Sequence, residues 1–480
     1  MWNLEKDPHL ASAFANVTLL DTEPDLDRLL LRMANAVEAI PRLRQRVVPA
    51  LGRLAPPEWR EDPEFDLEYH VTTVALPAPG TVRQLLDLTA DLVARPFDRT
   101  RPLWEFVVVL GVEGGRAALV QKLHHTITDG EGGIRMSEQF IDLARDATEP
   151  ITPVRPVAAA APRSLAETTA DTLTHQARRG LGIVRRSVAG GLALLTDPSR
   201  IPPLVTDVTE MGRAALQQLT VTDPARSPLW RERSLRRGLE IFQVPFDEAK
   251  AAAGVLGGSV NDFFVAGAAG GARAYHLAAG SPLDDVRMAM PVSTRTDGSA
   301  GGNAFSLTRV LLPLDIDDRR ERFTGIRAQL TATKQDKALN LVSGIAGLAN
   351  LLPTSVAVQV ARQQTETVDF TTSNVRGAPF PLYIAGARIL GNHPVGPLAG
   401  TAWNLTVMSY DGHLDMGLHV DLGAVPDPDV LREAIEAEYA ALIALGTATK
   451  APARKAPARK TAAKKTSSPT RSAATKKIRP

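Results

Sequence analysis

The stretch Gln121-Lys-Leu-His-His-Thr-Ile-Thr-Asp-Gly130 decides how this 480-residue chain is read. It closes an apolar run that begins at Arg116, and a second run, Leu103 to Leu110, precedes it across Gly114-Gly115. Two apolar segments joined by a glycine pair read as a β-hairpin. Neighbouring residues at a strand end point to opposite sides of a sheet, so one of His124 and His125 can face a cleft while the other anchors in the core. Asp129-Gly130 is a sharp-turn dipeptide, and its carboxylate can help fix the loop that presents the histidine.

Outward from the hairpin, helices and strands alternate. Asp25 to Ile40 sets Leu26, Leu29, Leu30, Met33, Val37 and Ile40 on one helical face ahead of Pro41. Thr81 to Ala94 reads as a second helix and Gly133 to Ala144 as a third. Pro150 to Pro162, rich in Ala and Pro, reads as a linker, and the helical stretches up to about Pro228 as a crossover. A second α/β section follows. It has an Ile241–Val244 strand, a helix over Asn261 to Ala279 capped by Ser259, and strands at Val286–Val292 and Phe305–Leu314. Helices are expected at Arg319–Ala338 and Leu341–Gln363, strands at Tyr383–Leu390, Ala402–Ser409 and His413–Val420, and a last helix at Pro428–Leu445. The expected units are residues 1–148, a crossover at 149–235, a second unit at 236–448 and a tail at 449–480.

Composition narrows the chemistry. There are no cysteines, which removes thiol nucleophiles, disulfides and Cys-ligated metal centres. Aromatics at 5% are too few for a surface built to stack bases or sugars. The opening Met1-Trp2-Asn3-Leu4-Glu5-Lys6-Asp7 lacks the pattern of a secretory signal. The most apolar long stretch, Leu341 to Ala361, is interrupted by Asn350 and Pro353, so a spanning helix is not expected. The net charge of +2 conceals two objects: residues 450–480 carry eleven Lys/Arg and no acid, leaving 44 basic against 53 acidic residues elsewhere. The tail repeats Ala451-Pro-Ala-Arg-Lys455 as Ala456-Pro-Ala-Arg-Lys460 and has nothing with which to build a core.

Imidazole titrates in the range needed to take a proton from an alcohol as it attacks an activated acyl group. A thioester is already activated, so such a transfer requires no enzyme nucleophile; preorganised donors would steady the oxyanion. Two histidines and a carboxylate are also a recognised metal-ligand set. Adjacent histidines on one strand cannot easily converge on one ion, however, and no metal is expected.

His-His-x-x-x-Asp-Gly resembles the signature of the CoA-dependent acyltransferase superfamily. More narrowly, the chain resembles the bacterial wax ester synthase/diacylglycerol acyltransferase family. The residues that carry this are Arg101-Pro-Leu-Trp-Glu105, Gly114-Gly-Arg-Ala-Ala118, Asp129-Gly-Glu-Gly-Gly133, Asn261-Asp262, Met290-Pro-Val-Ser-Thr-Arg295 with Gly302-Asn303, and Ser373-Asn-Val375, in order along Met1 to Leu445. The resemblance implies an α/β fold of two chloramphenicol-acetyltransferase-like subdomains with a channel between them. It implies that His125 is the base, that His124 supports it, and that Asp129 is structural and paired with Arg295. Gly130 would permit the turn. Pro102, Leu103, Trp104, Asn261 and Asp262 would shape the channel, with Asn303, Ser373 and Asn374 in supporting places. Trp104 reads equally as a core aromatic, and Asn261-Asp262 as a helix cap. The chain departs from the family where Arg376 replaces a common proline after Ser-Asn-Val, and in its opening Trp2 to Asp7.

The expected activity is acyl-CoA-dependent esterification of diacylglycerol or a long-chain alcohol, giving triacylglycerol or wax ester, with acyl-CoA as co-substrate and no bound cofactor. A condensation-type enzyme drawing on a carrier-protein thioester is the alternative within enzymes. A protein acting through its basic tail on polyanions, nucleic acid included, is the alternative outside them. The expected location is cytoplasmic, with the tail touching an anionic membrane leaflet or lipid droplet, or serving only as a solubilising extension.

Overall fold

A computed structural model describes residues 2–49, 57–128, 130–147, 223–293, 305–335 and 354–448. The expected linker, most of the crossover and the basic tail lie outside these residues, as do Asp129, Arg295 and Asn303.

After two short 3-10 turns, Leu4–Lys6 and Pro8–Leu10, strand β1 (Ala13–Leu20) enters the middle of the first sheet. Helix α1 (Leu26–Ala39) is capped by Asp25, whose side chain accepts the Arg28 N–H, and it buries Leu29, Met33, Ala36 and Val37. A two-stranded ribbon, β2 (Gln45–Val48) with β3 (Glu58–Glu61), leads to the single turn α2 (Leu67–His70) and to β4 (Val71–Ala75). Helix α3 (Val82–Ala94) starts with a Thr81–Gln84 capping box. The predicted hairpin is β5 (Trp104–Val112) and β6 (Arg116–His124). The expected helix over Gly133 to Ala144 is instead a shorter α4 (Gly130–Ser137) followed by β7 (Ile141–Asp142). Asp142 explains the change: it is buried between Arg28 at 2.6 Å and Arg32 at 2.5 Å, which fixes the chain to α1.

The second half begins with β8 (Arg237–Pro245), α5 (Phe246–Val255) and α6 (Val260–Ala278), the last with a Ser259–Asp262 capping box. Strands β9 (Asp285–Ser293) and β10 (Phe305–Pro313) follow, then helices α7 (Arg319–Gln335) and α8 (Thr354–Thr365). Strand β11 (Phe370–Arg376) precedes β12 (Tyr383–Ile384), β13 (Ala387–Val395), β14 (Trp403–Tyr410), β15 (His413–Asp421) and α9 (Pro428–Ala448). The expected single strand at Tyr383–Leu390 is broken by a turn at Ala385-Gly386, both at positive φ.

Two sheets result. One has the order β4-β5-β6-β1-β13-β12-β7 and the other β10-β9-β11-β14-β15-β8. Strands β12 and β13 therefore do not stay with the C-terminal unit in which they were expected. They cross into the N-terminal sheet, where β13 pairs antiparallel with β1 from Ala15↔Val395 to Leu20↔Ile389. The two subdomains are interleaved, and β13 also packs on β14 and β15 of the other sheet.

Each sheet has its own core. In the first, α3 sets Leu85, Leu86, Ala90 and Val93 against Val107, Val109, Ala118 and Val120. On the opposite face α1 packs over Trp104, Phe106, Val108 and Leu119. In the second, helices α5, α6, α7 and α9 cover one face, where Phe370 and Trp403 stack at 3.9 Å. α6 runs close to α9 because Gly267, Gly270 and Gly271 face Tyr439, Glu438 and Ile435; any side chain there would collide with them.

Candidate active site

Strand β6 lies against β1 with Ala13 opposite His124, Phe14 opposite Leu123 and Asn16 opposite Gln121. The two-residue period turns Gln121, Leu123 and His125 toward one large cavity. Lys122 and His124 go the other way and are 1% exposed. Lys122 donates to the Arg95 carbonyl at 2.9 Å and lies 4.2 Å over the Phe97 ring. The opposite facing expected for the adjacent histidines is therefore present.

His124 is held on both ring nitrogens. Its Nδ1 accepts the Thr126 N–H at 3.0 Å, with the Thr126 hydroxyl 2.7 Å away. Its Nε2 meets Glu5 Oε2 at 2.7 Å. A backbone N–H can only donate, so the ring proton is assigned to Nε2, the nitrogen on the side of the ring that meets the carboxylate. Burial opposes ionisation of Glu5, but hydrogen bonds from His124 and Ser12 outweigh it and hold the carboxyl below its usual range.

His125 is the first residue beyond β6. Its backbone N–H donates to the Ser12 carbonyl at 3.2 Å, and its ring lies 4.6 Å from that of Phe14. The ring borders a cavity of about 1510 Å³, larger than the roughly 300–1,000 Å³ of ordinary small-molecule sites. Both subdomains build it: β1, β6 and β13 supply one wall, β11 and β14 the other. The lining is largely apolar, with Leu10, Leu123, Ile134, Met136, Ile389 and Met408 among its side chains.

A polar belt crosses this lining. The Asn16 amide donates to Thr18 at 2.9 Å and to Asn392 at 2.7 Å, and the Thr18 hydroxyl donates to Asn392 at 2.7 Å. Gln121 donates to Thr18 at 3.1 Å. On the facing sheet Asn404 donates to Thr371 at 2.7 Å and accepts from Thr406 at 2.7 Å.

The remaining expected site residues divide. Asn261, Ser373 and Asn374 line the cavity, and Asn374 donates to Asn261 at 3.2 Å. Gly130 heads α4, of which Gly133 reaches the cavity. Asp262 does not line the cavity: its carboxylate accepts the Ser259 N–H and hydroxyl, each at 2.8 Å, and so serves as a cap. Pro102, Leu103 and Trp104 do not border the channel that the resemblance implied for them, and for Trp104 the alternative reading as a core aromatic holds. Trp104 stands beside Leu123 on the same face of the sheet, yet its indole donates to the Leu43 carbonyl at 2.7 Å and stacks on His70 at 4.5 Å. Those neighbours cover it completely. Leu103 acts through its backbone, its carbonyl accepting the His124 N–H at 3.1 Å.

Glu5, Ser12, Phe14 and the polar belt were missed. The alternation of Phe14, Asn16 and Thr18 with Ala15, Val17 and Leu19 was the available signal for β1. Glu5 carried none, because its partner is 119 positions away and belongs to another element.

Two sheets joined where β13 of the first packs on β14 and β15 of the second, with His125 bordering a cavity walled by both, give the chain the fold of condensation-type acyltransferases. The starter condensation domain of rhizomide synthetase, solved as a mutant in complex with C8-CoA, superposes with a TM-score of 0.54 at 13% identity, covering 93% of this chain and 92% of that one. The wax ester synthase/diacylglycerol acyltransferase from Marinobacter aquaeolei VT8 gives 0.61 at 21% identity, covering 91% and 95%. A Mycobacterium tuberculosis protein named a diacylglycerol O-acyltransferase is 33% identical over 458 residues, 92% of this chain and 89% of its own. The wax ester synthase/diacylglycerol acyltransferase catalytic domain matches residues 2–264, and the C-terminal domain of the same family matches residues 301–443. The chain belongs to the wax ester synthase/diacylglycerol acyltransferase family and is an acyltransferase.

Proposed function

We propose that this acyltransferase moves the acyl group of a long-chain acyl-CoA to the hydroxyl of diacylglycerol or of a long-chain alcohol, with His125 as the general base. The observation that carries the reading is the His125 ring bordering a largely apolar cavity walled by both sheets. In the proposed step, His125 takes the hydroxyl proton while the alcohol oxygen bonds to the thioester carbonyl carbon. The tetrahedral oxyanion collapses, the carbon–sulfur bond breaks, and the leaving thiolate takes the proton back from the imidazolium. Ester and free CoA leave, and His125 is regenerated. The apolar walls exclude bulk water, which would otherwise compete as acceptor.

The acyl-CoA donor is supported by the fold shared with a C8-CoA-bound condensation domain, and the lipid acceptor by the names of the relatives. The chain would act from the cytoplasmic side, at a membrane leaflet or lipid droplet, with the basic tail as the contact. The test is direct. Purified protein is given palmitoyl-CoA with dioleoylglycerol, hexadecanol or no acceptor, and thiol release is read with a disulfide reagent. Because the chain has no cysteine, it adds no background. Release that depends on the acceptor, with the matching ester in the lipid extract, supports the reading. Hydrolysis alone, or no turnover without a carrier protein, defeats it.

A further inference from the structure

The residue nearest to a control point is one that no motif contains. Glu5 stands on the 3-10 turn Leu4–Lys6, ahead of the first strand, and its two oxygens do different work. Oε1 accepts the Ser12 N–H at 2.6 Å, while Oε2 faces His124 Nε2 at 2.7 Å. The Ser12 carbonyl in turn receives the His125 N–H at 3.2 Å. One carboxylate thus grips His125 from both sides, through Ser12 on its N–H and through the neighbouring His124 ring. Around the pair, Trp2 and Phe97 present ring edges to His124 at 6.5 and 6.1 Å, and Arg99 reaches Glu5 at 3.5 Å while lying 4.3 Å over Trp2.

We propose that Glu5 is a positioning residue for the acyl transfer, acting on His125 through His124 and Ser12. This rests on the functional reading above. The chemistry favours a group that accepts at both oxygens and donates nothing, because the Ser12 N–H donates to one and His124 Nε2, which carries the ring proton, lies 2.7 Å from the other. Only an ionised carboxylate does so. A glutamine in its place has one acceptor oxygen and must turn its NH₂ toward a donor. Moving the His124 proton to Nδ1 gives no relief, because the Thr126 N–H already occupies that nitrogen. The backbone at His124-His125 must then shift, and a misplacement of about 1 Å can cost a factor of about 10² in rate.

Steady-state kinetics on the full chain test this. Glu5→Gln is expected to lower kcat by about ten- to a hundredfold. KM for palmitoyl-CoA and for the alcohol should each move less than about twofold, since an interaction felt in the transition state and not in binding appears in kcat. Glu5→Asp, which keeps two acceptor oxygens, should recover part of the loss. In a His124→Ala background, Glu5→Gln should cost no more than about threefold, because one of the two paths is already gone. Losses that multiply independently, a change confined to KM, or a lowered Tm with kcat intact would overturn the proposal. A readout free of turnover separates its failure from that of the functional reading. Imidazole nitrogen-15 shifts of His124 should report the Nε2–H tautomer in the unaltered protein and a changed ring in Glu5→Gln. An Nδ1–H tautomer, or identical spectra, overturns the positioning role whether or not any lipid alcohol is esterified.

Discussion

Asn374, at the end of β11, donates its side-chain amide to Asn261 in the first turn of α6 across 3.2 Å. The pair joins a strand end to a helix start 113 positions apart, and both residues border the cavity. Removing either side chain should loosen that wall and leave the cores untouched. Asn261→Ala and Asn374→Ala are each expected to change KM for a lipid substrate by about two- to tenfold, as the loss of one hydrogen bond implies. The double variant should be no worse than the weaker single, within about twofold. Independent effects would show that the contact does no work in the folded enzyme.

His125→Ala tests the base itself. The ring touches Phe14 and the cavity, and its removal leaves every core cluster intact. Turnover should fall by about 10²–10⁴-fold, the usual loss for a general base, with Tm changed by only a few degrees. His124→Ala should differ in kind. It strands the half-buried Glu5 carboxylate without its ring partner, so Tm falls together with rate. Thermal unfolding of the two variants side by side separates the roles.

How far the sequence disclosed this site can be judged from particular residues. The hairpin, the helices starting at Asp25 and Thr81, the Ser259 cap, and the opposite facing of His124 and His125 follow from local rules, and each is present. What failed to show was set by distance. β13 pairs with its chain neighbour β12 along one edge, but along the other with β1 at the far end of the sequence, from Ala15↔Val395 to Leu20↔Ile389, and no local pattern encodes that choice. β1 hides for a related reason: its Asn16 and Thr18 face a polar belt completed by Asn392, so it looks less like a core strand than it is. Trp104 could be read from the sequence as a channel residue or as a core aromatic, and what decides for the core, the Leu43 carbonyl and the His70 ring that close over it, comes from two other elements.

The approach of the two sheets gives a third prediction. Gly417 on β15 faces the Pro394 carbonyl on β13, and a β-carbon added at Gly417 would overlap that oxygen. Backbone cannot yield as a flexible side chain does. Pro394 also borders the cavity, so a wedge at this point should spread the wall beside β1. Gly417→Ala is expected to destabilise by about 1–3 kcal/mol, as overpacking of a filled interior usually does. A denaturant midpoint equal to that of the unaltered protein would show that the sheets slide apart at no cost.

The same junction makes stability depend on pH in two opposing ways. Asp415 on β15 is fully buried; burial raises its carboxyl from 3.8 to about 6, although the Asn392 N–H at 2.6 Å and the Gln243 amide at 2.8 Å favour the charged form. An acid whose folded pKa lies above its unfolded value contributes stability at pH below about 4 and loses it as pH rises to about 6. Burial drives His393 and His419 the other way, to about 4 and about 3. The unfolded chain protonates these histidines near pH 6.5 while the folded one does not, so their contribution falls as pH drops below that value. Asp415→Asn isolates the first effect. The new amide keeps the Asn392 N–H on its oxygen and can donate to Gln243 once that amide turns over. The variant should be more stable than the parent at pH 7.5, by up to about 3 kcal/mol for a shift of two units, and the advantage should vanish near pH 4. Its acid unfolding should be steeper, because the histidine term is then unopposed. Chemical denaturation at pH 4, 5, 6 and 7.5 measures both slopes. A variant less stable than the parent at pH 7.5 would mean that the charged carboxylate is held better than its burial implies.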